Sequence, residues 1–282
     1  MTSPIFFRLT YAPIFLILFL VLASPANSGE WVTDPDTGCS LWDEYASPDR
    51  IASYDGSCVN GKAEGQGEVV WSSGGYSPDQ YTGEFRAGKR HGRGFYNYGI
   101  ANGLTYEGEW ENDRWNGNGV LTTRYRSMKW VYAGTFTDGK QTGRGVYTDH
   151  SGNRYEGEWK DGKKHGYGKL EMEISSSSYE GEWKENKFHG HGIYTWRNGT
   201  RYEGEFRNGK EQGKGKKTFA DGSIYEGQWH EGKLHGHGTM TYKNGYGYSG
   251  EFKEGLPDGV GVAFGEDGTQ VPVKMHKGKP LK

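Results

Sequence analysis

The chain has 282 residues with 48 Gly, 20 Tyr, 12 Phe and 10 Trp, and its 34 Lys plus Arg against 36 Asp plus Glu leave a net charge of -2. That balance argues against a nucleic-acid partner. The aromatic richness argues against a disordered chain, and glycine without a strict three-residue period excludes collagen.

The first 28 residues differ from the rest. Arg8 is followed by the uninterrupted apolar run Ala12 to Ala23, and Ala26 and Ser28 then offer the small residues a signal peptidase reads. This layout reads as a secretory signal peptide, with a retained amino-terminal anchor as the alternative. The run is short for a membrane span, which needs roughly 20 residues. The expected location is therefore outside the cytoplasm (secreted, periplasmic or luminal). Residues 29–53 follow as a short segment before the repeats. Cys39 and Cys58 are the chain's two cysteines. In an exported chain such a pair reads as a disulfide, and two free buried thiols are the alternative.

From residue 54 onward the sequence is periodic. Tyr54, Tyr81, Tyr106, Tyr132, Tyr155, Tyr179, Tyr202, Tyr225 and Tyr248 start nine units at intervals of 23 to 27 residues. With positions counted from each tyrosine, Gly stands at position 3 in all nine. Position 5 is aromatic in eight units (Phe85 and Trp110 through Trp229 and Phe252) and Cys58 in the first. Two further glycines stand at positions 12 and 14, as in Gly166 and Gly168. Alternation with period two predicts a strand, Tyr155, Gly157 and Trp159 facing one way and Glu156 and Glu158 the other. A turn is expected around Asp161-Gly162-Lys163, with the returning strand beginning at Gly166. Strand glycines beside rings predict a slot for an aromatic side chain. A lone hairpin is marginal, so nine should stack in register. The expected fold is all-β, an elongated single-layer solenoid of stacked antiparallel β-hairpins over residues 54–263.

The units resemble the MORN (membrane occupation and recognition nexus) repeat family, whose signature YxGxWxxGxxxGxG is met by YEGEWKDGKKHGYG at Tyr155 to Gly168 and YEGQWHEGKLHGHG at Tyr225 to Gly238. With Phe for Trp it appears in YTGEFRAGKRHGRG at Tyr81 to Gly94. The departures are Cys58 at the ring position and Asp113 and Asn186 at the mid-turn Gly. The resemblance implies an array of β-hairpins acting as a binding or scaffolding module, with protein interaction, dimerisation and phospholipid binding as its attributed roles. Residues 29–53 and 264–282 are too short for an enzyme domain and read as an amino-terminal cap and a carboxy-terminal cap or tail. A Cys39–Cys58 bridge would pin the former over the first hairpin.

Position 9 carries a basic row: Lys62, Lys89, Arg114, Lys140, Lys163, Lys187, Lys210 and Lys233. Such an edge could face anionic headgroups; otherwise it serves solubility and edge protection together with the glutamates of the outward strand positions. His91, His165, His189 and His235 share one repeat position, but a zinc site wants three or four convergent ligands, and copying of a unit explains the column. No metal and no cofactor is expected. Catalysis needs a rare residue with a partner in a shaped pocket, and the polar residues here belong to repeated columns, so no enzyme is expected. Trp130, in the insert RYRSMKWVYAG, lies outside the pattern and is the candidate for a partner contact, with packing over the lengthened loop as the alternative. The expected function is a non-enzymatic exported scaffold or adaptor binding a protein partner along the array. The alternative is a peripheral phospholipid binder using the basic turn edge, and self-association is a further option.

Overall fold

The computed structural model describes residues 29–74, 77–99 and 103–281. The segment read as signal peptide or anchor lies outside them. Among the described residues the secondary structure is a single 22-stranded sheet with no helix. Each tyrosine-led unit is an antiparallel hairpin and each hairpin pairs with the next, so the array is a β-hairpin solenoid.

One unit shows why the sequence folds this way. Strand Arg154–Lys160 turns back into strand Lys163–Met172 through Asp161 and Gly162, both at positive φ (50° and 76°). Two left-handed residues in a two-residue loop match the twist of the strands they join. The returning strand therefore starts at Lys163, three residues earlier than the sequence suggested. Gly166 instead sits inside that strand at φ 57°, where the register slips between Gly157 and Trp159. It is the left-handed residue of a β-bulge, which bends the strand. The slip recurs in the other hairpins, for instance between Gly204 and Glu205. The turns are stitched together as well: the position 8 N–H donates to the position 10 carbonyl of the preceding unit, as Gly162 does to Gln141 at 3.0 Å and Gly209 to Phe188 at 2.9 Å.

The position 3 and 14 glycines serve a different purpose. Gly157 pairs with Gly168, Gly168 with Gly181, and Gly181 with Gly192, so a glycine ladder crosses the sheet hairpin after hairpin. The unit's own tyrosine lies over it. A Cβ on Gly168 would stand 2.4 Å from the Tyr155 hydroxyl and 2.6 Å from its ring. That hydroxyl donates to the Glu158 carbonyl at 2.9 Å, so the buried polar atom is satisfied. Burial raises the phenol's pKa, with Glu158 adding to the effect. Each tyrosine from Tyr81 to Tyr225 also meets two rings edge-on, as Tyr155 does Trp159 at 5.3 Å and Trp183 of the next unit at 5.1 Å. The zigzag continues through Tyr179–Phe206, Tyr202–Trp229 and Tyr225–Phe252. Trp183 further donates its indole N–H to the Gly168 carbonyl at 3.0 Å. These contacts form the core.

Lys164 is a cation beneath this strip. Its ammonium lies 4.8 Å from the Tyr155 ring centroid and 5.1 Å from that of Trp183. Burial pushes its pKa down to about 8, with Asp149 opposing. The unfolded value is about 10.4, so the contribution to stability is present above that pH and is lost as pH falls through about 8. Phe188 and Leu234 occupy the same position in later units. Lys164→Met is therefore expected to stabilise the protein at pH 7 by about 1–2 kcal/mol, since a desolvation cost is removed at the expense of a cation–π contact. The gain should shrink between pH 8 and pH 10 in urea titrations of the two proteins.

The ends are built differently. At the amino end Glu30–Thr33 pairs with Ser40–Asp43, and the second strand runs along the first two turns, Ser40 N donating to Gly61 O and Trp42 N to Gly88 O. Asp34 accepts the Tyr54 N–H at 3.0 Å on the edge of strand Ile51–Val59. Cys39 and Cys58 are joined by a disulfide with Cα atoms 5.8 Å apart. At the carboxy end strand Gln270–His276 continues the sheet and turns through Lys277 and Gly278 at positive φ. Gly278 N donates to Pro257 O, the same turn stitch as in the other units. Val273 faces Gly261 and Met275 faces Gly259 in register. Residues 270–280 are thus the first strand and turn of a tenth unit, with Val271, Val273 and Met275 in place of Tyr, Gly and ring. Both groups that would meet a Cβ at position 3 are missing here, the tyrosine and, among the described residues, a position 14 strand facing Val273, so valine is accommodated.

Candidate binding surfaces

The array presents two edges and one open face. The turn edge carries the basic row, and its members have different surroundings. Lys62 lies 4.2 Å from the Trp31 ring centroid and Lys89 5.1 Å from that of Trp42, both in the amino-terminal segment. Arg114 pairs with Asp138 at 3.4 Å, Lys210 with Glu231 and Lys233 with Glu254. Glu231 and Glu254 have their pKa values lowered by these lysines. Exposed pairs of this kind add little stability, but they place an acid beside each base. Among the described residues Lys140, Lys163 and Lys187 have neither an ion pair nor a ring contact.

The open face lies opposite the tyrosines, and the glycine ladder forms its floor. In the carboxy-terminal half it is a trough of about 1010 Å³ running over Gly181, Gly192, Gly204, Gly215, Gly227, Gly238 and Gly250. A companion of about 790 Å³ lies over Gly83, Gly94, Gly108, Gly119 and Gly134. The register places exposed Glu180, Glu203 and Glu226 on one side of the floor and exposed His191, Lys214 and His237 on the other. With no side chain on the floor, a ligand can approach the backbone closely.

Position 4 explains half of the glutamates that looked like a solvent row. Glu158 accepts the Tyr167 N–H at 3.2 Å, Glu182 that of His191 at 2.8 Å, and Glu205 that of Lys214 at 2.9 Å. Each carboxylate closes the bulge beside a position 12 glycine. A Cβ on Gly190, for example, would stand 2.4 Å from the Glu182 carboxyl. These are structural groups, while the position 2 glutamates remain on the face. Asp113 and Asn186, the two departures at the turn, are caps as well: Asp113 accepts the Arg90 N–H at 2.8 Å and Asn186 that of Lys164 at 2.9 Å.

The tyrosines that lead the units are buried: Tyr155, Tyr179, Tyr202 and Tyr225 are at 0% exposure. An aromatic groove is thus not available along this strip, and the open face is polar. Trp130 is half-buried and meets the His150 ring at 5.3 Å. Its strand, Met128–Thr137, pairs with Arg114–Tyr125 in a hairpin longer than its neighbours. Among the described residues no group of three or more His, Cys, Asp or Glu could hold a metal, and no helix is long and apolar enough to cross a membrane. Sequence reasoning missed a second column: Asn198-Gly199-Thr200, Asp221-Gly222-Ser223 and Asp267-Gly268-Thr269 close the loops between units, the Asn or Asp oxygen accepting an N–H two residues on. The recurring Asn/Asp-Gly pair was the available signal.

Over the described residues the fold defines a protein of stacked β-hairpin repeats. The MORN repeat model matches nine stretches, residues 54–76, 81–99, 106–124, 132–154, 155–172, 179–201, 202–224, 225–245 and 248–270. The chain belongs to the MORN repeat family. Over 130 residues, 43% of this chain, it is 34% identical to Alsin of Homo sapiens and 33% identical to Alsin of Mus musculus. The match covers 7% and 8% of those proteins, so the chain spans a small fraction of their length. Among solved structures, the SAS-4 TCP domain of Drosophila melanogaster, in complex with a proline-rich motif of Ana2, aligns with 56% of this chain and 84% of its own, at 11% identity and a TM-score of 0.35.

Proposed function

We propose that the protein is an exported scaffold that binds a segment of a protein partner along the open face of its repeat array. The trough carries this reading: its floor is bare backbone, and its two sides offer acidic and basic groups at a regular spacing. An extended polypeptide laid along the bare backbone would meet both rows of charges. The Cys39–Cys58 disulfide supports an oxidising compartment, consistent with the signal read in residues 1–28.

A photo-reactive residue placed at position 203, on the trough, is compared with one at position 163, on the turn edge, in extracts of the native source. The expected result is a discrete cross-linked protein at 203 alone, retained through washing at about 0.5 M salt, where long-range attraction is screened. Cross-links only at 163, or none at either position, would reject the trough. The second reading, a phospholipid-facing turn edge, rests on the eight-membered basic row, of which Lys140, Lys163 and Lys187 are unpaired. Its expected result is flotation with anionic vesicles that is lost when those three are changed to Gln.

A further inference from the structure

The hairpin Arg114–Tyr125 and Met128–Thr137 departs from the repeat on the loop edge by extending its strand pairing. In the next unit the equivalent pairing stops at Thr148 with Arg154. Here it continues past Thr122 and Val131 through Thr123 with Trp130, Arg124 with Lys129, and Tyr125 with Met128, closing at Arg126 and Ser127. At about 3.3 Å per residue the extra pairs add a finger on the order of 10 Å long.

Its exposed charges are all of one sign. Arg124, Arg126 and Lys129 are all exposed, and among the described residues none has a carboxylate partner. The Arg126 guanidinium lies 5.4 Å from the ring centroid of Tyr125, itself 39% exposed. Arg124 and Lys129 are direct cross-strand partners, a like-charge pairing that the turn edge also carries, as in Lys160 with Lys163 and Lys184 with Lys187. What sets the finger apart is its position: it lies outside the copied unit, on the loop edge, and brings three exposed bases to one short hairpin end.

We propose that this finger is a docking site for an acidic segment of a protein partner. The proposal rests on the reading of the protein as a partner-binding scaffold, at a site separate from the trough. Two guanidiniums and an ammonium fixed on a short hairpin suit carboxylates, which arginine engages in two parallel hydrogen bonds. The Tyr125–Met128 pair alongside adds the aromatic and Met contact that interfaces favour. Three basic residues fall below the cluster of about four to eight that marks an anionic-lipid site, which favours the directed protein contact over a membrane surface.

The test is fluorescence anisotropy of a labelled octaglutamate peptide with the purified protein at about 50 mM salt, where exposed charges are weakly screened. Saturable binding is expected, with octaglutamine as the non-binding control. The R124Q/R126Q/K129Q protein should bind octaglutamate at least about tenfold more weakly. K140Q/K163Q/K187Q removes as many charges from the turn edge and should bind as the unmodified protein does. Absence of binding, or equal weakening in both variants, overturns the proposal. So does a finger variant that keeps its octaglutamate affinity but loses flotation with phosphatidylserine vesicles, which would assign the finger to lipid. The cross-link at position 203 is read independently, so the trough and the finger can fail separately.

Discussion

Gly204→Ala is expected to destabilise the array by about 3 kcal/mol or more, the upper range for overpacking because the obstruction includes backbone. The added Cβ would stand 2.5 Å from the Gly215 Cα on the paired strand and 2.6 Å from the Tyr202 hydroxyl. Tyr202 cannot move aside easily, since it is fully buried, donates to the Glu205 carbonyl at 2.9 Å and meets Phe206 and Trp229 edge-on. Gly209→Ala is the contrast. It sits at φ 85° with nothing within 4 Å of a Cβ, so the cost should be that of left-handed backbone alone, about 1–2 kcal/mol. Urea unfolding of the two variants separates crowding from backbone conformation. The tenth unit suggests a rescue. There Val271 and Val273 replace the tyrosine and glycine together, so Tyr202→Val with Gly204→Ala should cost less than the two single changes added. An additive result would mean that the tyrosine is not the obstruction.

Asp113→Ala is expected to cost about 3–5 kcal/mol, because it strands a buried cation. Arg90 is 3% exposed, its guanidinium is 4.7 Å from the Trp110 ring centroid and 4.8 Å from that of Tyr96, and its Nε donates to Asp113 at 3.0 Å. Burial works against the charge, but Asp113 outweighs it and raises the Arg90 pKa. Asp113 itself is raised by burial, with Arg90 pulling it back. Other units manage without the pair: Leu234 holds the place of Arg90 and Gly255 the place of Asp113 in the following turn. Arg90→Leu with Asp113→Gly should therefore recover most of the loss, since a buried ion pair is often replaceable by apolar packing. If the double variant is as unstable as Asp113→Ala, the pair contributes more than its own neutralisation.

Much of this protein is visible in one dimension because a repeat states the same local rule nine times. The hairpin, its turn and the buried side of each strand follow from the spacing of tyrosine, glycine and ring. The tenth unit was not visible, because its three marker residues all changed at once. Loss of the tyrosine and of a facing position 14 strand together permit the valine, so the change is not legible at one position. The role of position 12 was hidden for another reason. Strand alternation treats Gly166 and Gly168 alike, whereas one takes a left-handed φ in a bulge and the other lies under a ring.

The candidate sites divide along the same line. That Glu156 and Glu158 point away from the rings follows from alternation. That Glu158 is committed to the Tyr167 N–H while Glu156 remains on the face depends on the bulge, which brings a distant backbone donor to one carboxylate. The basic row is evident as a column, but its sorting into capped, paired and free members comes from how the amino-terminal segment and successive turns lie against it. Composition and period by themselves determined a helix-free solenoid with an aromatic core, since only stacking lets hairpins this short bury their rings. Tertiary structure alone decided which surface stays open. The tyrosines fold back over the glycine ladder and close their own side, and the same missing side chains leave the opposite side as a bare-backbone trough.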